Sequence, residues 1–133
     1  MDETNKKLPI KILVVDDNRD NRELVVKILR NKGYEMREAV DGEDALQKIK
    51  DERPSLILMD IALPKIDGYE VTRRLKSAET YKDIPIVALT AHVMKGDKDK
   101  ALSAGCEGYI AKPIDVRALP EQIKSFLKDR LEE

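Results

Sequence analysis

Short apolar runs alternate along this chain with longer segments of helical period, and that alternation most restricts its fold. Ile10 to Val15 (IKILVV) is rich in β-branched residues and stops at Asp16-Asp17. Ser55 to Met59 (SLILM) stops at Asp60, Ile84 to Leu89 (IPIVAL) at Thr90, and Gly108 to Ala111 (GYIA) at Lys112-Pro113. Tyr34 to Val40 (YEMREAV) is a weaker, mixed run. Continuous apolar runs of this length suit strands covered on both faces, as in a parallel sheet.

The segments between them carry apolar stripes with start and stop signals. Leu24, Val25, Ile28 and Leu29 form one stripe, with Asn18 as N-cap and Gly33 as stop. Ala45, Leu46 and Ile49 form a second behind Asp41-Gly42. Asp67 and Glu70 make a capping-box-like pair ahead of Val71 and Leu75. Leu119, Ile123, Phe126 and Leu127 form the last stripe. Pro120 belongs in a first helical turn, so that helix starts between about residues 115 and 119. Ala91 to Ala104 contains Gly96, Asp97, Asp99 and Ser103, which are weak helix formers, and reads as a marginal helix stopped at Gly105.

Strand and helix thus alternate about five times, which predicts an α/β fold: a five-stranded doubly wound parallel sheet with helices on both faces. A length of 133 residues suits one domain. Residues 1–9 read as a solvated tail and 10–131 as the domain, with no repeat, low-complexity tract or linker. The 25 basic and 26 acidic residues leave a net charge of −1, so nothing general favours nucleic acid or an anionic membrane as partner. One His and one Cys cannot build a Cys/His zinc site. A single Cys also excludes an internal disulfide framework and suits a reducing, cytoplasmic setting. Leu56 to Met59 falls far short of a ~20-residue membrane span, and the charged start of the chain does not read as a signal peptide.

In an open α/β sheet, functional groups gather at the carboxyl ends of the strands. Asp16, Asp17, Asp60, Thr90 and Lys112 all fall there, although they are widely separated in sequence. Carboxylates brought together repel one another unless a cation sits among them. A hard divalent cation with oxygen ligands, most naturally Mg²⁺, removes that cost. Lys112 and the Thr90 hydroxyl suit the oxygens of a phosphoryl group, and one carboxylate suits a nucleophile forming an aspartyl phosphate.

Four stretches carry a resemblance: ILVVDDN (Ile12 to Asn18), LILMDIALPKIDGYE (Leu56 to Glu70), IPIVALTA (Ile84 to Ala91) and YIAKPI (Tyr109 to Ile114). Together they resemble the receiver domain of two-component response regulators, the CheY-like family, from about Lys11 to Leu131. The resemblance implies a flavodoxin-like fold with strand order 2-1-3-4-5. It implies that Asp60 accepts the phosphoryl group, with Asp17 and Asp60 as direct Mg²⁺ ligands and Asp16 acting nearby or through water. The backbone carbonyl of Ala62 is a further implied ligand. Lys112 is implied to contact the phosphate, Thr90 to be the switch hydroxyl, and Tyr109 to be the aromatic that follows it. Ala91 is small, as access to the phosphoryl group needs, and the Lys112–Pro113 peptide is expected to be cis.

The implied partners are a histidine kinase or phosphotransfer protein as donor and a downstream protein target as reader. Direct contact with nucleic acid or membrane is not expected, and the molecule would be a monomer or a phosphorylation-dependent dimer. Such a protein is a phosphoacceptor switch that assists its own phosphorylation and dephosphorylation rather than an enzyme. The stretch TAHVMKGD (Thr90 to Asp97) is similar to receivers of hybrid kinases and of the cell-division type. A dehalogenase-type phosphatase also uses an aspartyl phosphate, but its D-x-D motif is missing, because Ile61-Ala62 follow Asp60. No phosphate-cradling glycine motif of a nucleotide-binding protein occurs.

Other residues read as structural. Asp67-Gly68 is a cap and tight helix entry, Pro64 stiffens its loop, and Cys106 is a small buried hydrophobe. His92 reads as a surface or packing residue, Lys95 to Lys100 as a solvated helix face, and Lys128 to Glu133 as a solvated helix end.

Overall fold

The computed structural model describes residues 9–91 and 95–131. The readings of the N-terminal tail, of His92 and of Glu132–Glu133 therefore lie outside the described residues, as do the side chains of 95–98 and 128–131.

Five strands form one sheet: β1 (Lys11–Val15), β2 (Glu35–Ala39), β3 (Leu56–Asp60), β4 (Ile86–Thr90) and β5 (Gly108–Ala111). They lie in the order β2-β1-β3-β4-β5, and every neighbouring pair is parallel. This is the doubly wound, flavodoxin-like arrangement. The helices between and after them are α1 (Arg19–Arg30), α2 (Gly42–Asp51), α3 (Gly68–Lys76), α4 (Lys95–Ala104) and α5 (Leu119–Leu131).

Alternate strand residues feed two cores, one on each face, as the two-residue period requires. Leu13, Val15, Ile57, Met59, Ile86 and Ala88 pack with Ala45 and Ile49 of α2, Val71 and Leu75 of α3, and Ala101 of α4. Ile12, Val14, Leu56, Leu58, Val87 and Leu89 pack with Val25, Val26 and Leu29 of α1 and with Leu119, Ile123 and Leu127 of α5. Central β3 is buried along its whole length, which carries the polar residue at its end, Asp60, below the surface.

The helix starts follow from short polar side chains that accept the unsatisfied N–H groups of the first turn. Asn18 accepts from Asn21 N–H at 2.9 Å, Asp41 from Asp44 N–H at 2.8 Å, and Asp67 from Glu70 N–H at 2.9 Å. Asp115 opens the turn before α5 by accepting from Arg117 and Ala118 N–H, and Pro120 stands in the first turn of that helix. Gly33 and Gly105, after α1 and α4, have φ of 97° and 111°, where a side chain would be strained.

The structure adjusts two expectations. In α1 the rows facing the sheet are 22–26 and 25–29, so Val26 is buried and Leu24 stands at the edge, 36% exposed. β4 begins at Ile86 rather than Ile84; Pro85 has no N–H to donate, though its carbonyl accepts from Ile57 N–H at 3.0 Å.

Candidate functional site

Three loops meet at the carboxyl edge of the sheet. Asp16 and Asp17 follow β1, Asp60 is the last residue of β3, and Lys112 follows β5. One carboxylate oxygen from each of Asp16, Asp17 and Asp60 lies within 4.8 Å of the others. Asp16 and Asp60 are buried, and Asp17 is exposed.

Each buried acid is held by more than one group. Asp60 Oδ1 accepts from Ala62 N–H at 3.0 Å, and Asp60 Oδ2 lies 3.2 Å from Lys112 Nζ. Asp16 Oδ1 accepts from Asn18 N–H at 2.9 Å, while its backbone N–H donates to the Ala39 carbonyl at 3.1 Å. Asp16 Oδ2 lies 2.9 Å from Lys112 Nζ, but off the direction of a hydrogen bond, so charge alone holds this buried oxygen. Burial pushes the Asp60 carboxyl above its ordinary range; the Asp16 charge adds to this, while the Ala62 N–H and Lys112 pull the other way. Burial also works against the Lys112 ammonium, but Asp16 and Asp60 outweigh it and the pKa is raised.

One ammonium thus faces three acids. The donors are hard carboxylate oxygens, and a buried Asp16 oxygen lacks a directed donor, so the set fits a small divalent cation such as Mg²⁺.

The loop from Asp60 to α3 is shaped by Gly68. A Cβ there would come within 2.3 Å of the Asp60 carbonyl oxygen and 3.0 Å of Ile61 Cα. Gly68 therefore does more than open a helix: its bare Cα lets α3 press against the backbone of Asp60. Gly68 N–H donates to the Ile61 carbonyl at 3.1 Å, and Lys65, next to exposed Pro64, turns the loop with φ of 66°.

Of the remaining candidates, Thr90 ends β4 and Tyr109 stands on β5. Asp60 is in register with Leu89, which puts half-buried Thr90 one step further along β4. The Thr90 carbonyl accepts from Lys112 N–H at 2.7 Å, which ties the lysine loop to β4. Tyr109 sits opposite Ala88 on β5, half-buried against the core under α2, α3 and α4. Ala62 and Ala91 are both exposed, and the Lys112–Pro113 peptide is cis.

Two contributions escaped the sequence reading. One is the Ala62 N–H on Asp60. The other is Arg22, which donates to the Asp16 carbonyl at 2.9 Å from Nη1. Its signal was its place four residues before Val26, in the row of α1 that turns inward.

A family model described as the response regulator receiver domain matches residues 12–124. The chain belongs to the response regulator receiver family. A polar-differentiation response regulator, DivK, from Brucella anthropi is 43% identical over 92% of this chain and 99% of its own. The chemotaxis protein CheY4 of Vibrio cholerae superposes with a TM-score of 0.86 at 30% identity, covering 90% of this chain and all of the other. The receiver domain of a Pseudomonas aeruginosa sensor histidine kinase, with a magnesium ion coordinated in its active-site cleft, superposes at 0.83 with 35% identity. That match covers 91% of this chain and 99% of the other. Receiver domains work in phosphorylation-based two-component signalling, between histidine kinases or phosphotransfer proteins and downstream targets. Among the described residues, no helix is long and apolar enough to cross a membrane.

Proposed function

We propose that this receiver, over residues 10–131, accepts a phosphoryl group on Asp60 from a phosphohistidine of a kinase or phosphotransfer protein. The observation that carries the reading is the meeting of three carboxylates within 4.8 Å, with an ammonium 3.2 Å from the buried one at the end of β3. In the transfer, an Asp60 oxygen forms a bond to phosphorus as the bond from phosphorus to the histidine nitrogen breaks. The imidazole leaves neutral, with a proton on its other nitrogen. Asp16, Asp17, Asp60 and the carbonyl of Ala62 would hold Mg²⁺, which when bound offsets the negative charge of the acids and of the phosphoryl oxygens. Lys112 stays to neutralise the added charge, and the exposed methyl of Ala91 leaves the approach open. In this sense the receiver assists its own phosphorylation and dephosphorylation by positioning and charge.

The product carries about two negative charges beside Lys112 where the Asp60 carboxylate carried one. Thr90 binds a phosphoryl oxygen, Tyr109 turns with it, and the face of α4, β5 and α5 changes for a downstream protein, in the cytoplasm. Pro113 and Gly68 are structural supports of this machinery, and Pro64 stiffens its loop. The two conformations are in equilibrium, and phosphorylation shifts their populations.

The test is incubation with Mg²⁺ and acetyl phosphate, followed by a phosphate-affinity gel. A retarded band is expected, absent from Asp60→Asn and from samples with EDTA. A band that survives in Asp60→Asn would place the acceptor elsewhere.

A further inference from the structure

We propose that Arg22 is a positioning residue for the cation site, fixing the peptide that joins Asp16 to Asp17 so that both carboxylates face one point. This rests on the reading that Mg²⁺ occupies the aspartate trio.

The Arg22 side chain is 13% exposed, so it is not an ordinary surface charge. Its guanidinium spans two partners: Nη1 donates to the Asp16 carbonyl at 2.9 Å and Nε to Glu38 Oε1 at 3.1 Å. A planar fork can hold two acceptors in a set direction, which a single ammonium cannot. Neither acceptor is a side chain of the trio. Arg22 therefore braces the acids from behind, using β2 as the support.

That support is itself fixed. Lys48 of α2 donates to the Glu38 carbonyl and pairs with Asp44 at 3.4 Å, while Asp44 accepts from Val40 N–H at 3.0 Å. On the other side, Asp16 N–H is held by the Ala39 carbonyl at 3.1 Å. Both backbone groups of Asp16 are thus committed to the β2 side of the molecule.

The consequence falls on Asp17. The Asp16 carbonyl and the Asp17 N–H belong to one rigid peptide plane. Clamping the carbonyl sets the plane at which Asp17 begins, and the next residue, Asn18, is fixed as the cap of α1. Asp17 is exposed and hangs between these two fixed points, so its carboxylate direction depends on both. Partners behind a set of ligands commonly control metal affinity by orienting them.

Charge and position predict opposite outcomes, which makes the test sharp. If Arg22 acted only through its charge, its removal would relieve repulsion and tighten cation binding. If it positions Asp17, its removal weakens binding. Mg²⁺ is titrated calorimetrically into metal-free wild-type protein, Arg22→Met and Asp17→Asn, at a temperature where melting curves show each fully folded. Methionine keeps an apolar stem and loses both hydrogen bonds. The expected result is a Kd for Arg22→Met about tenfold weaker than wild type. An unchanged or tighter Kd overturns the proposal. Arg22→Lys keeps the charge and at most part of the fork; it carries the same test alone if Arg22→Met does not hold its fold, weaker binding supporting the proposal and unchanged binding overturning it. Wild-type protein that takes up no Mg²⁺, or Asp17→Asn that binds as tightly as wild type, would instead defeat the reading of the trio as a cation site.

Discussion

The helices that follow β1 and β4 flank the same site but are held down very differently. α1 buries Val25, Val26 and Leu29, is capped by Asn18, and reaches back to Asp16 through Arg22. α4 buries only the methyls of Ala101 and Ala104 among its described side chains and leaves Leu102 46% exposed. Its firmest attachments lie beyond its C-terminal end. There Cys106 N–H donates to the Ala101 carbonyl, and Glu107 accepts from Ile86 N–H and pairs with Lys76. The side that carries the paired acids is therefore anchored by branched side chains and a guanidinium fork. Among the described side chains, the side beyond Thr90 is anchored by small residues at one end. Burial per side chain scales with apolar area, so the described side chains of α4 resist displacement less than those of α1. The proposed switch would use such an asymmetry: acids that stay in place beside an element that shifts at low cost.

The largest test of this difference is Leu29→Ala. Leu29 is fully buried between α1 and the sheet. Removing its side chain is expected to cost about 2–5 kcal/mol, read from urea unfolding with an unchanged m-value. A loss under about 1 kcal/mol would mean that α1 is no better anchored than α4, and the contrast would collapse.

A second test examines the anchor beyond α4. Burial pushes the Cys106 thiol up to about 11, with Thr72 Oγ1 3.9 Å from its sulfur pulling weakly the other way. A folded-state pKa above the unfolded one means that the native state holds the proton more tightly. The associated stability is present below about pH 9 and is lost as pH rises from there through about 11. Two pH units correspond to about 3 kcal/mol for so buried a group. Stability of the wild type and of Cys106→Ala is measured by urea unfolding from pH 8.5 to 11. Cys106→Ala is expected to lose less over that range by about 2 kcal/mol, since at pH 11 the native thiol is itself half ionised. Parallel curves would show that Cys106 is free to ionise, and that the α4–β5 junction is looser than its burial implies.

The anchored parts were also the legible ones. Asp60 could be placed because a wholly apolar run stops on a lone acid, and the sheet order then brings it beside Asp16 and Asp17. The caps Asn18, Asp41 and Asp67 announce themselves through local chemistry, since each accepts from an N–H three residues on. Contacts between distant segments leave no such trace. Leu24 and Val26 are equally apolar neighbours, and only docking of α1 on the sheet turns one outward and the other inward. Arg22 joins the Asp16 carbonyl to Glu38 of β2, a partner sixteen residues away in sequence. Gly68 read as a helix entry, whereas its missing side chain matters because the Asp60 carbonyl passes within 2.3 Å of where a Cβ would stand. The Lys76–Glu107 pair joins residues 31 apart, and nothing in either neighbourhood foretells it.

The smallest expected effect refines the comparison most. Ala101 lies in α4 and is 2% exposed, so its methyl is among the few apolar groups holding that helix to the core. Ala101→Gly removes that methyl and adds backbone entropy to the unfolded chain. Together these are expected to cost about 1–2 kcal/mol. The informative readout is local. If α4 opens separately from the rest, amide hydrogen exchange should accelerate within 95–104 by about tenfold or more while the amides of Val25, Val26 and Leu29 keep their protection. Exchange that accelerates equally in α1 and α4 would mean that both helices open only with global unfolding. The uneven anchoring would then have no counterpart in motion, and the case for α4 as the low-cost element of the switch would be lost.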